Sequence, residues 1–385
     1  MFRRIQIKNF LSCKDVVIDN IDSMAALVGR NGSGKTNILK TIWRIANDII
    51  LPQSIKISRN KHLAIKLLIE LDNKYYQYEL QNIPNQETVF SEKLTVQKSF
   101  NEESQILFNR QEDTIKVTGY DTDITVGNYI PSLPTLAALL PKEVAIKKAI
   151  SLIISFLQTV RYYPLDETQL PTETGKYVTH SDYEDWLNKN QFDNNNSVVM
   201  QLLNLSLKRT DEFEEIKSLV GPEGLNIIKN INIFIESARF SESGNESETF
   251  YIISFQPSSL LVSSIGYDYN ALSFGTRRLL RLIVSVIYDK SSVMLLEQPE
   301  DGIHIGLLHK LIPLLKSYSD KSQIILASHS PEVLNRLEPQ EIRLVIMENV
   351  QTKVRSLDEN ELEIAKQFIN EEGTLSDFIE TIQEN

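Results

Sequence analysis

The chain has a single cysteine, Cys13, among its 385 residues. A lone thiol cannot form a disulfide framework or a cysteine-based zinc site. The five histidines are scattered and lack the short spacings of metal ligands. No apolar run reaches the roughly 18 residues that a membrane span needs, and the first residues lack the apolar segment of a signal peptide. We therefore expect a cytoplasmic protein with no membrane partner.

The chain also has fewer basic than acidic residues. The chain has 40 Lys and Arg against 51 Asp and Glu, which gives a net charge of −11 and a pI near 5.2. This balance argues against a protein covered with phosphate contacts, although a local DNA groove stays compatible with it. The hydrophobic share of 42% and the charged share of 24% are ordinary for globular proteins. The length indicates one large domain or two.

One glycine-rich stretch, residues 29–36, fits the pattern G-x-x-x-x-G-K-[ST]. An apolar, strand-like run (24–28) precedes it and a helix-like run (37–49) follows, which disfavours an unrelated glycine turn. The glycines let successive backbone N–H groups point at one anion, and the helix adds the positive end of its dipole. Lys35 is expected to reach the β- and γ-phosphates, and the Thr36 hydroxyl to bind Mg²⁺. The predicted ATP-binding residues of this stretch are Gly29, Arg30, Asn31, Gly32, Ser33, Gly34, Lys35, Thr36 and Asn37.

Two further segments are predicted to be buried strands that end in polar residues. Residues 292–296 are mainly apolar and run into Glu297. At the end of a central strand this carboxylate could hold a Mg²⁺-bound water beside Thr36. Residues 324–327 lead in the same way to His329, and ligands of open α/β sheets bind at such strand ends. Lys35, Glu297, Gln298 and His329 are therefore the candidate catalytic residues, and Thr36 and Glu297 the candidate metal ligands.

A fourth motif contains Ser273, Gly275 and Thr276 just before an apolar helix predicted at 279–287. A serine and a glycine at a helix N-terminus can form an anion site. An ordinary N-cap, with Ser273 capping the helix, explains the same residues. The motif alone leaves both interpretations open.

The pattern of strand-like and helix-like segments changes twice along the chain, and we therefore predict three regions. Residues 1–140 combine the phosphate loop with alternating strands, which predict an antiparallel β-lobe. Residues 141–248 contain helical stretches, including one at 223–236, and predict an inserted helical lobe. Residues 249–385 alternate buried strands with helices, as in a parallel sheet covered by helices. The predicted class is α/β.

The order and spacing of the four motifs resemble the ATPase heads of the ABC superfamily, in the branch of SMC proteins, RecF and OLD-type anti-phage proteins. Residues 7–10, Asn37 and residues 300–304 point to this branch rather than to transporters. The resemblance covers residues 1–50 and 250–385 well. It implies two ATP molecules sandwiched between two heads, so that ATP binding closes a dimer and hydrolysis opens it. By this resemblance the signature motif is Ser273 with Gly275, the Walker B acid is Glu297, the switch histidine is His329 and the D-loop is residues 302–304.

The chain departs from the family pattern at several positions. Gln298 stands where a glutamate usually polarises the attacking water, and an amide cannot accept the proton of that water. Hydrolysis should therefore be slow, either because the protein is a natural ATP-binding switch or because a glutamate was replaced to trap ATP. Because the other motifs are intact, we favour the second explanation, in which a glutamate was replaced to trap ATP. Glu300 is a less suitable substitute base, Leu11 replaces a frequent arginine, and Gln158 and Gln169 are weak candidates for the Q-loop.

The task of the ATPase is less well defined by the sequence. OLD-type relatives often carry a C-terminal nuclease domain, and residues 330–385 are too short for one, so we expect a separate nuclease-like or toxic effector. The first hypothesis is a bacterial two-component defence system resembling the PARIS or Septu ATPases. The second is a RecF-like DNA-binding clamp, and a transporter subunit is disfavoured by Asn37 and the β-lobe. Candidate DNA contacts are Lys142, Lys147 and Lys148, or Arg277, Arg278 and Arg281, although the acidic total favours solvated helix faces with salt bridges as the explanation of these residues.

Overall fold

A computed structural model of the chain describes residues 1–50, 63–82, 90–99, 102–127, 130–164, 177–189, 197–239, 247–258, 266–371 and 373–384. The Q-loop candidate Gln169 lies outside these residues. The chain divides into two compact units. The first contains Met1–Tyr163, Ser291–Pro299 and Leu315–Asn385, and the second contains Pro164–Lys290 and Glu300–Leu314.

The strands and helices are named here in chain order. The strands are β1 (Phe2–Phe10), β2 (Cys13–Ile18), β3 (Met24–Val28), β4 (Ala64–Leu71), β5 (Lys74–Asn82), β6 (Phe90–Gln97), β7 (Gln105–Gln111), β8 (Thr114–Val117), β9 (Ile124–Thr125), β10 (Val160–Tyr163), β11 (Val178–Thr179), β12 (Ile228–Arg239), β13 (Ser247–Pro257), β14 (Val293–Glu297), β15 (Gln323–Ser328), β16 (Ile342–Glu348) and β17 (Gln351–Ser356). The helices are α1 (Lys35–Ile50), α2 (Ser132–Leu139), α3 (Ala145–Gln158), α4 (His180–Lys189), α5 (Val198–Lys208), α6 (Thr210–Val220), α7 (Phe274–Tyr288), α8 (Ile305–Tyr318), α9 (Pro331–Leu334), α10 (Glu359–Glu371) and α11 (Leu375–Glu384).

The first unit contains a six-stranded sheet in the order β10-β14-β15-β3-β16-β17. Its first five strands are parallel neighbours, and β17 adds an antiparallel edge. Every residue of β3 and β15 is buried. Such continuous apolar runs are typical of parallel strands covered on both faces, which is why their sequences lack alternation.

The first unit also contains an antiparallel sheet in the order β2-β1-β4-β5-β6-β7-β8-β9. Tight turns connect several of its strands, and the left-handed backbone of Asp72 and Asn73 makes the turn between β4 and β5. The inward residues of this sheet share one apolar cluster with α1, α3 and the parallel strands. The predicted β-lobe is therefore present, and its core is continuous with that of the parallel sheet.

The second unit combines helices α4 to α7 with a three-stranded sheet in the order β11-β13-β12. The helix predicted at 223–236 is wrong, because most of that segment belongs to β12. Ile231, Ile233 and Ile235 are β-branched residues at a spacing of two, and this long run pairs in antiparallel register with β13. Pairing with the next strand, rather than local periodicity, therefore decides the structure of this segment.

The predicted α/β class is confirmed, with a mostly parallel sheet and an antiparallel β-lobe in the first unit. Helix α2 was not predicted, since its eight residues contain Pro134 and lack a clear helical period. Among the described helices, none combines the length and the apolarity that a membrane crossing requires.

Candidate functional site

Three neighbouring parallel strands of the first unit, β14, β15 and β3, place the phosphate loop and the candidate catalytic residues at one edge of the sheet. Strand β15 lies between β14 and β3, with Glu297 opposite Ala327 and Ser328 opposite Val28. The phosphate loop follows β3, Glu297 ends β14, and His329 directly follows β15. Carboxyl ends of parallel strands form the ligand edge of open α/β sheets.

The phosphate loop has the backbone that an anion cradle needs. Gly32 and Gly34 have φ values of +80° and +104°, a region that favours glycine. A Cβ on Gly34 would lie 2.1 Å from Thr352 Oγ1, so a larger residue has no room there. Ser33 Oγ is buried and has no hydrogen-bond partner within the described residues. A phosphate bound at the start of α1 could supply that partner, so these residues fit a nucleotide.

Lys35 is folded back over this loop. Its ammonium donates to Gly29 O at 2.6 Å and Arg30 O at 3.0 Å, and the residue is buried. The side chains of Arg30 and Asn31 are exposed. Asn37 donates through Nδ2 to Ser12 Oγ at 3.0 Å, which ties the first turn of α1 to the β1–β2 turn. The lysine ammonium therefore lies against the backbone of the phosphate loop.

Both oxygens of Glu297 accept hydrogen bonds. The Thr36 hydroxyl donates to Oε1 and the Tyr162 hydroxyl donates to Oε2. Burial is the main cause that raises the pKa of Tyr162, and the hydrogen bond to Glu297 raises it further. The two predicted metal ligands thus lie side by side. The described residues contain no cluster of three or more His, Cys, Asp or Glu that could hold a metal ion alone.

Gln298 and His329 also meet. Gln298 Nε2 lies 3.2 Å from His329 Nδ1, which makes the amide the donor if that ring nitrogen is unprotonated. The Gln298 backbone has a φ of +43°, which is uncommon for a residue with a side chain. Its N–H donates to Ala327 O at 2.8 Å. This hydrogen bond fixes a sharp turn after β14 that aims the Gln298 side chain at the histidine.

A cavity of about 340 Å³ opens beside the loop. Its walls combine the first loop residues, the histidine segment and the last helix, α11. The cavity therefore lies beside the phosphate loop and the candidate switch histidine. The lining residues are Val28, Gly29, Arg30, Asn31, His329, Pro331, Leu334, Ser376, Ile379, Glu380 and Gln383.

The predicted signature residues belong to the second unit, so the structure does not place them in the same compact body as the loop. Ser273 is the exposed N-cap of α7, and its Oγ accepts from Thr276 N at 3.3 Å and lies 2.8 Å from Thr276 Oγ1. A Cβ on Gly275 would lie 2.4 Å from Gly302 O. The N-cap interpretation therefore holds, and it leaves the serine at an accessible helix start beside the predicted D-loop.

Sequence reasoning missed Tyr162, Ser12 and Thr352. Tyr162 lies near the end of β10, and the rule that parallel strands end at one edge of the sheet could have marked it. Ser12 and Thr352 give no local signal, because only the pairing of distant segments brings them to the loop: Thr352 N donates to Ser12 O at 3.1 Å. Gln158 ends α3 with an exposed side chain.

A phosphate loop, a strand-end acid and a strand-end histidine on this sheet define an ATP-binding ATPase head of the ABC superfamily. A family model described as "AAA domain, putative AbiEii toxin, Type IV TA system" matches residues 24–335, so the chain belongs to that family. This match agrees with the ATPase heads that the sequence motifs resemble.

Solved SMC heads are similar to this chain at low sequence identity. An SMC head bound to the C-winged helix domain of ScpA has a TM-score of 0.48 at 14% identity, covering 94% of this chain and 99% of that one. The SMC head domain from Thermotoga maritima has a TM-score of 0.44 at 15% identity, covering 93% and 99%. An SMC head with an extended coiled coil, bound to a ScpA domain derived from Pyrococcus furiosus, has a TM-score of 0.45 at 13% identity, covering 96% and 98%. No curated protein matches the sequence.

Proposed function

We propose that this ATPase closes face to face with a second copy when it binds ATP, and that the closed dimer controls a separate effector in a bacterial anti-phage defence system. The nucleotide would lie between the phosphate loop of one copy and the signature residues of the other. The observation that carries the proposal is that the two half-sites belong to different compact units, the phosphate loop to the first and the signature residues to the second.

The loop half-site supports the proposal through its chemistry. Lys35 presents a buried ammonium held by carbonyl oxygens, and Ser33 Oγ is a buried hydroxyl without a partner among the described residues. Both groups gain from a phosphate. A bound Mg²⁺, held at Thr36 and Glu297, would neutralise charge on the β- and γ-phosphates. His329 and Gln298 would orient the attacking water, but neither the amide nor its hydrogen bond provides a strong base, so turnover would be slow.

The signature half-site supports the proposal through its exposure. Ser273 and the following N–H groups start α7 at the surface, where a helix dipole favours a negative ligand. Gly275 packs against Gly302 so closely that the signature and the predicted D-loop form one rigid surface. A γ-phosphate carried by a second copy would complete the site and supply the energy difference between open and closed states.

A mixing experiment tests the sandwich. The variants Lys35→Ala, with a defective loop, and Ser273→Arg, with a blocked signature, are examined by light scattering after gel filtration in Mg-ATP. We expect the unmodified chain to dimerise and each variant alone to stay monomeric. An equimolar mixture should recover dimers, since the loop of the Ser273→Arg chain and the signature of the Lys35→Ala chain make one intact composite site.

The control is Glu223→Arg, which adds the same side chain at an exposed position of the second unit. This variant should dimerise like the unmodified chain. Recovery in the mixture is the decisive result, because a nucleotide site made within one chain would not be restored by mixing. Monomers in all samples, including the unmodified chain, would refute ATP-driven closure.

The family description, which names a putative toxin of a type IV toxin–antitoxin system, supports a role in bacterial conflict. The effector is tested by expressing the chain with and without the product of a neighbouring gene and measuring phage plaques and host growth. Protection that needs both genes and an intact Lys35 is expected. Protection by the chain alone, or none at all, would contradict control of a separate effector.

The DNA-binding alternative receives less support from the described contacts. Lys147 donates to Leu140 O within the first unit, and Arg278 lies over the Phe274 ring at 5.9 Å. These two cations are thus engaged within the chain. Duplex binding with a steep salt dependence, abolished by Lys35→Ala, would favour the alternative over the effector hypothesis.

A further inference from the structure

Tyr162 is a candidate for a role that none of the sequence motifs assigns. It lies on the edge strand β10, opposite Leu295 in the parallel pairing with β14. Glu297 is two positions beyond Leu295 and thus on the same face of the sheet, within reach of a long side chain. The Tyr162 hydroxyl accordingly donates to Glu297 Oε2. This contact joins an edge strand to the acid that is the predicted Walker B residue.

The contact uses a different oxygen of Glu297 from the one near the predicted metal. Thr36 donates to Oε1 and Tyr162 to Oε2. The Thr36 oxygen keeps lone pairs for a cation while its O–H donates a hydrogen bond to the carboxylate. A carboxylate fixed at both oxygens cannot turn about its last bond without losing a donor. The two hydroxyls therefore determine the direction in which Glu297 faces.

Tyr162 is itself held in place by the helix that follows the phosphate loop. Its ring lies against Trp43, with centroids 6.1 Å apart, and Lys40 Nζ lies 5.9 Å from the ring centroid. Only 9% of the residue is exposed. Packing of this kind fixes the side-chain rotamer, so the hydroxyl has one available direction. The loop helix, the edge strand and the acid thus form one rigid group.

We infer that Tyr162 is a positioning residue for the divalent cation, which it serves by holding Glu297 in the orientation that accepts a metal-bound water beside Thr36. The inference rests on the proposed Mg²⁺ site. Groups that orient metal ligands through hydrogen bonds typically change metal affinity or activity by about 10- to 100-fold when removed. Tyr162 would act through Glu297 and would not touch the nucleotide.

The test is the variant Tyr162→Phe, which removes one hydroxyl and keeps the packed ring. Mn²⁺ is titrated into the full chain with saturating ADP and followed by electron paramagnetic resonance, and ADP affinity is measured separately in EDTA. We expect Mn²⁺ affinity to fall by about 10- to 100-fold with unchanged ADP affinity in EDTA. The matched control is Tyr163→Phe, on the opposite face of β10, whose hydroxyl lies 3.2 Å from Ser291 Oγ.

The outcomes separate this inference from the site on which it rests. Equal Mn²⁺ affinity in Tyr162→Phe and in the unmodified chain would overturn the positioning role while leaving the cation site intact. Absence of ADP-dependent Mn²⁺ binding in the unmodified chain would overturn both. An equal loss in Tyr163→Phe, or a parallel loss of ADP affinity in EDTA, would show a general weakening of the strand and would also overturn the role. Thermal unfolding of each variant confirms that the compared proteins are folded.

Discussion

Replacing Gln298 by glutamate should convert a slow ATPase into a faster one. Gln298 follows the strand-end acid, and its Nε2 lies 3.2 Å from His329 Nδ1. Glutamate has the same length and shape, so its carboxylate can occupy the same place. The backbone φ of +43° is equally strained for both residues, and the fold should not change. What changes is the presence of a group that can accept a proton.

The expected gain is the usual contribution of a general base, about 10²- to 10⁴-fold in kcat, which corresponds to roughly 3–5 kcal/mol of barrier. The KM for ATP should change little, because the phosphate loop and Lys35 are untouched. At the new carboxylate, His329 Nδ1 would have to donate rather than accept, so the favoured histidine tautomer would reverse.

The assay is phosphate release in Mg-ATP at a protein concentration that permits dimerisation. Gln298→Ala is the control, since it removes the amide without adding a base and should show no gain. The reasoning would be refuted if Gln298→Glu were no faster than the unmodified chain while still binding ATP and dimerising. Another residue would then activate the water, and Gln298 would only close the site.

Two further substitutions test the scaffold. Arg110 and Glu92 form an ion pair at 2.7 Å, and both side chains are fully buried. Arg110→Met would leave the Glu92 carboxylate buried without its cation. It should therefore lower the free energy of unfolding, measured by urea denaturation, by about 3–5 kcal/mol. Glu361 accepts two bonds from Arg355, and these hydrogen bonds are the main cause that lowers the Glu361 pKa below its usual 4.5. The pair therefore stabilises the fold above about pH 4.5, and this contribution is lost as the pH falls through the lowered pKa. Glu361→Gln should therefore lower the free energy of unfolding by about 0.5–1 kcal/mol at pH 7 and leave it unchanged in acid.

Each of these substitutions has its own control. Adding Glu92→Gln to Arg110→Met removes the stranded charge and keeps an acceptor for Ser132 N and Oγ, so the double variant should be more stable than Arg110→Met alone. If the two changes simply added, burial of the charge would not be the cause of the loss. For the helix contact, a Glu361→Gln cost that stayed constant from pH 7 to pH 3 would contradict an origin in ionisation.

The phosphate loop could be predicted because its chemistry is local. Gly32 and Gly34 stand a fixed number of positions before Lys35, and the flanking strand and helix are visible in the neighbouring residues. The strand before Glu297 was predictable for the same reason, since a fully buried parallel strand is a continuous apolar run. These features depend on residues that are close together in the sequence, so the sequence alone displays them.

Other features depend on the pairing of one strand with another. The segment of Ile231, Ile233 and Ile235 was predicted as helix, although its pairing with β13 makes it a strand. Tyr162 and Thr352 reach the site only because β10 and β17 join a sheet whose strand order cannot be read from the sequence. In each case tertiary context, rather than local preference, decides the structure.

The pairing of β3 has a consequence for how this protein is made. Leu27 lies opposite Ala327 and Val28 opposite Leu344, so the strand that delivers the phosphate loop waits for neighbours about 300 positions later. At about 5–20 residues per second, the ribosome needs roughly 15–60 s to supply them. During that interval five apolar residues have no sheet to join, and contacts of such long range form slowly. The growing chain should therefore be unable to hold ATP until β15 and β16 have been synthesised.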